Sequence, residues 1–412
     1  MSGRARPLPL FSAWGIELEY AIVRRDDLAV LPVADAVLES VTGEPTDYED
    51  EAVAWSNELV LHVLELKTNG PTPSLAGWAE RFRASVRRVN ELLRELGGML
   101  MPTAAHPLMI PEYETRLWPH QGREVYERYD LLFDCHQHGW ANLQSMHVNL
   151  PFRGDEEFAR LHAAVRAVLP LLPALAASSP LREGRLVGLL DGRLEAYRTN
   201  QRAIPEIAGA VVPEPMRSRR EYEMLILQPM YRAVADLDPE GILQHEFLNS
   251  RGAIARFVRD AIEIRLIDTQ ETPRADLAVA WLVGRTVRAL AEERWAPRAA
   301  LDALPTPALV AVLDATVRDA ERATIDEPGL LRVLGLRQPC SGGEVWAHLL
   351  DAVDGADGDE ARELAPVARE IVARGPLARR ILTRLGPDPR ADAIRTVYRE
   401  LCACLADGRL FA

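Results

Sequence analysis

The chain has 412 residues, 48% hydrophobic and 26% charged, with a formal net charge of −13 at pH 7. That length buries a large core and points to two or three domains or one large α/β unit. The acidic balance argues against a nucleic-acid or anionic-membrane partner, since both need a positive surface.

Four cysteines, Cys135, Cys340, Cys402 and Cys404, are too few and too unevenly spaced for a disulfide framework, so a reducing cytoplasm is expected. Met1–Phe11 has two arginines but neither the apolar core nor the cleavage site of a signal peptide. Apolar stretches are broken by Arg, Glu or Pro before about 18 residues, so no membrane-spanning helix is expected. Lys67 is the only lysine among 48 basic residues. Arginine richness therefore carries little information here. Lys67 carries more, because an ammonium is a compact point charge where a guanidinium is a planar fork, although chance explains it equally.

The first predicted strand spans 14–24, with Ile16, Leu18, Tyr20 and Ile22 apolar. Glu17 and Glu19 then share a face, roughly 6.5–7 Å apart between α-carbons. Adjacent like charges repel, and a cation between them is the simplest compensation. A wet edge strand is the plain alternative. A short helix at Asp35–Ser40 and an acidic loop at 42–54 follow. Asn57–Thr68 reads as a strand closed by Asn69-Gly70-Pro71. Glu65 and Lys67 share one of its faces. Glu58 lies an odd seven residues before Glu65, so it joins that face only if the strand bends or bulges.

Residues 73–97 have helical period, with Leu75, Trp78, Phe82, Val86, Val89 and Leu93 on one stripe. A short strand at Met99–Thr103, an aperiodic loop at 104–121 and a helix at 122–133 come next. Cys135-His136-Gln137-His138 lacks a second Cys/His pair at zinc spacing. Trp140–Pro151 reads as a strand that shows His147 and Asn149 together. Helices are predicted at 155–176 and 218–235, with an irregular stretch between. Ala261–Asp268 alternates, with Glu263 and Arg265 on one face. Thr272-Pro273 caps and opens a helix to about 295. From about 297 the text is Ala/Leu/Arg-rich helix. Two domains follow: 1–296 as the catalytic unit and 297–412 as a helical region packed on it. The run Asp351–Glu360 reads as a solvated loop, because its acids miss the offsets of a calcium loop.

Four strands each showing two polar residues on one face imply a common polar sheet face. Magnesium, a hard ion that favours oxygen ligands, suits it. No G-x-x-x-x-G-K-[ST], G-x-G-x-x-G, kinase or G-x-S-x-G signature is present. Phosphate binding would run through metal and side chains.

The order GIELEY, E-x6-ELKT, HVN, SSP with a downstream YR, and IEIRLID-T-x-x-TP resembles the glutamate–cysteine ligase family, type 2, the bacterial carboxylate–amine ligase branch. The resemblance runs from about Gly15 to about Leu290. It implies an α+β fold like the catalytic domain of glutamine synthetase: a curved, mostly antiparallel sheet funnel with outer helices. It also implies ATP and Mg2+ (or Mn2+) as cofactors, with Glu17, Glu19, Glu58, Glu65, His147 and Glu263 as metal ligands. Arg265 would contact phosphate or substrate, Arg198 a substrate carboxylate, and Asn149 the nucleotide. Glu65, Glu263 and Arg265 fall at the catalytic centre, and Lys67 among the substrate- or nucleotide-binding residues.

The implied reaction is ATP-dependent amide formation through an acyl phosphate. Its partners would be an amino acid or other carboxylic acid and an amine, and a homodimer fits. A ligase of the same fold on a different acid and amine, a metal-dependent amide hydrolase and a non-catalytic binding protein are the alternatives.

Overall fold

A computed structural model describes residues 6–355 and 358–412. Residues 1–5 and 356–357 lie outside it, and with them parts of the N-terminal and Asp351–Glu360 readings. The central sheet has seven strands: β1 (Gly15–Arg24), β2 (Val53–Asn57), β3 (Val63–Thr68), β4 (Gly98–Met101), β5 (Ser145–Pro151), β6 (Ala253–Arg256) and β7 (Ala261–Asp268). The order is β2-β3-β1-β5-β7-β6, with β4 paired to the far half of β1. Every pairing is antiparallel.

The alternation of β1 decides the layers. Ile16, Leu18, Tyr20 and Ile22 are fully buried and face a helical layer built from Trp78–Glu95, Gly154–Val168 and Pro273–Ala291. Trp78, Phe82, Val86, Val89 and Leu93 supply the expected stripe. Thr272 caps its helix by accepting from Ala275 N–H, and that helix ends at Ala291. The opposite sheet face carries the polar residues.

Several expectations change. The predicted strand Asn57–Thr68 is two strands, β2 and β3, joined by residues 58–62, and Val53 and Ala54 belong to β2 rather than to a loop. Polar Asn57 and Glu58 hide that break in a run that alternates across it. β5 starts at Ser145 rather than Trp140, because His138–Ala141 is a short helix. The helix at 155–176 is interrupted by a 3-10 turn at Leu169–Leu171, where Pro170 withholds an N–H. Gly154–Ala176 is long and apolar enough to cross a membrane by length and composition, but Arg160, Arg166, Pro170 and Pro173 break it and its apolar window is 94% buried in the fold. All four cysteines are free.

The helices beyond 297 share the main apolar core, which includes Ile16 and Leu405. The last of them, Leu377–Leu385 and Ala391–Asp407, pack Leu377, Ile381, Ile394 and Tyr398 on Ala21, Val23 and Met101.

Candidate active site

The strand registers assemble the site. Glu17 stands across from Lys67 on β3 and from His147 on β5. Glu19 stands across from Glu65, and Asn149 across from Glu263. Residues paired in register on an antiparallel sheet show the same face. Four polar pairs from four strands therefore form one row. Gly15 pairs with Asn149, and a Cβ there would meet Asn149 Cβ at 3.0 Å, so the glycine leaves room for the amide.

Within the row, His147 Nδ1 lies 2.9 Å from Glu17 Oε2 and Nε2 3.7 Å from Glu19 Oε1. Ser145 donates its backbone N–H to Glu19 Oε2 at 2.7 Å. Asn149 Nδ2 donates to Glu17 Oε1 at 3.1 Å. Lys67 Nζ lies 2.7 Å from Glu65 Oε2 and donates to Ser56 Oγ at 2.7 Å, which in turn donates to Glu65 Oε2 at 2.6 Å.

The electrostatics follow from the crowding. Burial and the charge of Glu17 push the Glu65 carboxyl up to about 7, against the pull of Lys67. Burial and the charges of Glu19 and Glu65 raise Glu58 well above the carboxylate range. Burial opposes ionisation of Glu17 as well, but the hydrogen bond and charge of His147 outweigh it and bring Glu17 down to about 2. Burial lowers His147 while Glu17 and Glu19 raise it, with a net value of about 9.

Glu58 sits on the connection between β2 and β3 and so escapes strand alternation. Ligand atoms of Glu19, Glu58 and Glu65 all lie within 4.8 Å of one another, as do those of Glu17, Glu65 and His147. Buried carboxylates this close repel unless a cation joins them, so the donor set fits a hard divalent ion. Loading it would release the protons held by Glu65, Glu58 and His147.

Two predicted residues lie outside both ligand groups. Glu263 joins neither group: its oxygens are taken by Arg256 Nη1 at 2.9 Å and Arg265 Nε at 3.1 Å. Arg198 is paired with Glu195 and Asp314 and is not among the residues lining either cavity described next. Its position on the helix Gly192–Thr199 turns it toward those acids.

A cavity of about 450 Å³ opens on Glu19, Glu58, His147 and Arg265. Another, of about 460 Å³, opens on Glu17, Lys67, Asn149 and Arg259. The row divides them. Arg193, which sequence reasoning missed, lines the first. Its Nε lies 2.5 Å from Asp268 Oδ1, and Asp268 also accepts from Ser178 N–H at 2.7 Å and Ser179 Oγ at 2.9 Å. That gives a physical reason for the SSP motif and for the acid that ends β7. No sequence signal separates Arg193 from the other arginines.

The model of glutamate-cysteine ligase family 2 (GCS2) matches residues 13–400. The chain belongs to this family. It is therefore a carbon–nitrogen ligase, and the match extends well past Leu290. A protein of Archaeoglobus fulgidus named "Uncharacterized protein" is 32% identical over 401 residues, 96% of this chain and 99% of that one. A Rubrobacter xylanophilus protein provisionally named glutamate–cysteine ligase 2-3 is 30% identical over 44% of this chain and 47% of its own, so the match spans about half of that relative. Glutamate–cysteine ligase of Francisella tularensis, crystallised with AMP, shares the fold with a TM-score of 0.58 at 12% identity, covering 97% of this chain and 90% of that one. A bifunctional glutathione synthetase from Pasteurella multocida gives 0.57 at 14%, covering 95% and 53%.

Proposed function

We propose that the chain is an ATP- and magnesium-dependent carboxylate–amine ligase working through an acyl phosphate. The observation that carries this is the acidic row, with ligand atoms within 4.8 Å of one another, lying between two cavities. ATP would enter the cavity of Glu17, Lys67, Asn149 and Arg259, and the AMP-bound Francisella ligase supports a nucleotide on this fold. The acid and amine would occupy the cavity of Glu58 and Arg265.

The ions would be held by Glu17, Glu19, Glu58, Glu65 and His147, and would neutralise charge building on the transferred phosphoryl group. The remaining steps belong to the chain's own groups. Glu263 fixes the Arg265 guanidinium beside the row, where it meets the anionic oxygens of the reacting carboxylate and phosphate. Lys67, held by Ser56 and Glu65, offers its ammonium on the nucleotide side. The acid's carboxylate oxygen attacks the γ-phosphorus and ADP leaves. The amine nitrogen then attacks the acyl carbon, phosphate leaves carrying the proton that the nitrogen gives up, and an amide remains.

The test is ADP release from ATP and Mg2+ over a panel of acids and amines. Amine-dependent ADP release together with amide formation is expected. Cleavage of amides without ATP, or no nucleotide binding, would sink the assignment.

A further inference from the structure

The cavity on the Glu58 side has a charge distribution that speaks to the acid it takes. Its only acids among the described residues are Glu19 and Glu58, and both belong to the metal row. Its arginines, Arg193 and Arg265, line the same cavity as these two acids, and Arg265 is held by Glu263 of the row at 3.1 Å. Arg193 is 2% exposed, fixed by Asp268 through Nε, and keeps a buried Nη2 with no hydrogen-bond partner. A buried guanidinium nitrogen without an acceptor is costly unless a ligand oxygen completes it.

Away from the row the wall is mainly apolar and aromatic, with Val125, Tyr126, Tyr129, Trp140, Leu143 and Phe247, and its remaining polar members, among them Asn200 and Gln201, are neutral. Trp140 is held against Tyr129 and Phe133, with ring centroids 5.0 and 5.5 Å apart. Such a wall stabilises an apolar or aromatic body; its amide oxygens on Asn200 and Gln201 offer an ammonium dipoles but no countercharge beside two guanidiniums.

We propose that the acid activated here is a monocarboxylate with an aromatic or apolar body and no free ammonium, its carboxylate held by Arg193 and Arg265 and its body stacked in the Trp140–Tyr129 wall. This rests on the ligase reading. The carboxylate oxygen takes the γ-phosphoryl group, the bond to ADP breaks, and the acyl phosphate forms at the row.

Hydroxylamine tests this without knowledge of the natural amine. It attacks the acyl carbon, expels phosphate and leaves a hydroxamate. The full chain with ATP and Mg2+ is given benzoate, phenylacetate, 3-phenylpropionate, L-glutamate and L-aspartate. An aryl acid with kcat/KM at least tenfold above both amino acids is expected. W140A should raise KM for that acid about tenfold, with kcat changed less. V125D, which adds a carboxylate to the wall, should move preference toward L-glutamate, a shift that misfolding does not produce. Hydroxamate formed best from L-glutamate or L-aspartate overturns this inference and leaves the ligase reading standing. No hydroxamate from any acid, with no ADP released, overturns both.

Discussion

Glu17, Glu19, Ala21 and Val23 share one face of β1, yet its two halves have opposite surroundings. The first half lies under two cavities and carries charges that repel. The second half is sealed by Leu377, Ile381, Ile394 and Tyr398 of the last helices. Both are buried: Glu19 is 6% exposed and Ala21 1%. Burial is thus not what separates them. On the acidic half burial stores electrostatic strain that a bound cation would relieve, and on the apolar half it stabilises the fold directly. The consequence is a division of labour in which the site is poor for stability and the C-terminal helices restore it.

This contrast can be broken by substitution. E17Q and E58Q should lower ATP turnover by about two orders of magnitude, as expected for losing several kcal/mol of charge stabilisation at about 1.4 kcal/mol per tenfold. The denaturation midpoint of E58Q should be unchanged or higher, because a carboxyl that burial and its acidic neighbours force to keep its proton is replaced by a neutral amide. Wild-type rates from E17Q would refute the metal row.

The opposite pattern is expected from Arg380, whose Nη1 lies 2.5 Å from Glu271 Oε1 in the interior and also donates to the Phe411 carbonyl. R380M strands Glu271 and should cost about 3–5 kcal/mol in denaturant unfolding. Ile394, fully buried over the apolar half, should cost about 2–5 kcal/mol as I394A, with ADP release per folded molecule retained. A loss of rate without loss of stability from I394A would erase the distinction between the halves.

A smaller effect concerns pH. His162 is buried between Phe158 and Tyr222, neither ring nitrogen has a partner, and burial with the charges of Arg166 and Arg251 brings it down to about 3. Burial likewise brings His62 and His106 to about 4. The unfolded chain takes up these protons near pH 6.5 and the folded chain only below about 4. Their contribution is therefore present above about 6.5 and is lost as pH falls toward 4. Unfolding free energy should decline over that window, and H162L should flatten the decline.

The Arg265–Glu263 pair and the two neighbouring acid rungs were legible because side-chain alternation in a strand is local and exact registers merely align it. Glu17, Glu19, Glu65, Lys67, His147 and Asn149 could all be named from spacing and motif order, and the family from their combination. Glu58 was legible as a motif position but not as a geometry. Its place depends on where β2 stops and β3 starts, which the hairpin pairing sets rather than the residues between them.

Arg198 and Arg193 show the other limit. Both sit on one helix among many arginines, and helix orientation alone gives Arg198 to Glu195 and Asp314 and Arg193 to Asp268 and the cavity. The sequence by itself determined the acidic strand face and the chemistry it suits, since those follow from residue type and a period of two. Only the tertiary structure decided which cations meet that face, which cavity each opens on, and that the last helices close its other half. Those contacts join residues tens to hundreds of positions apart, and no local pattern encodes which of the alternatives packs.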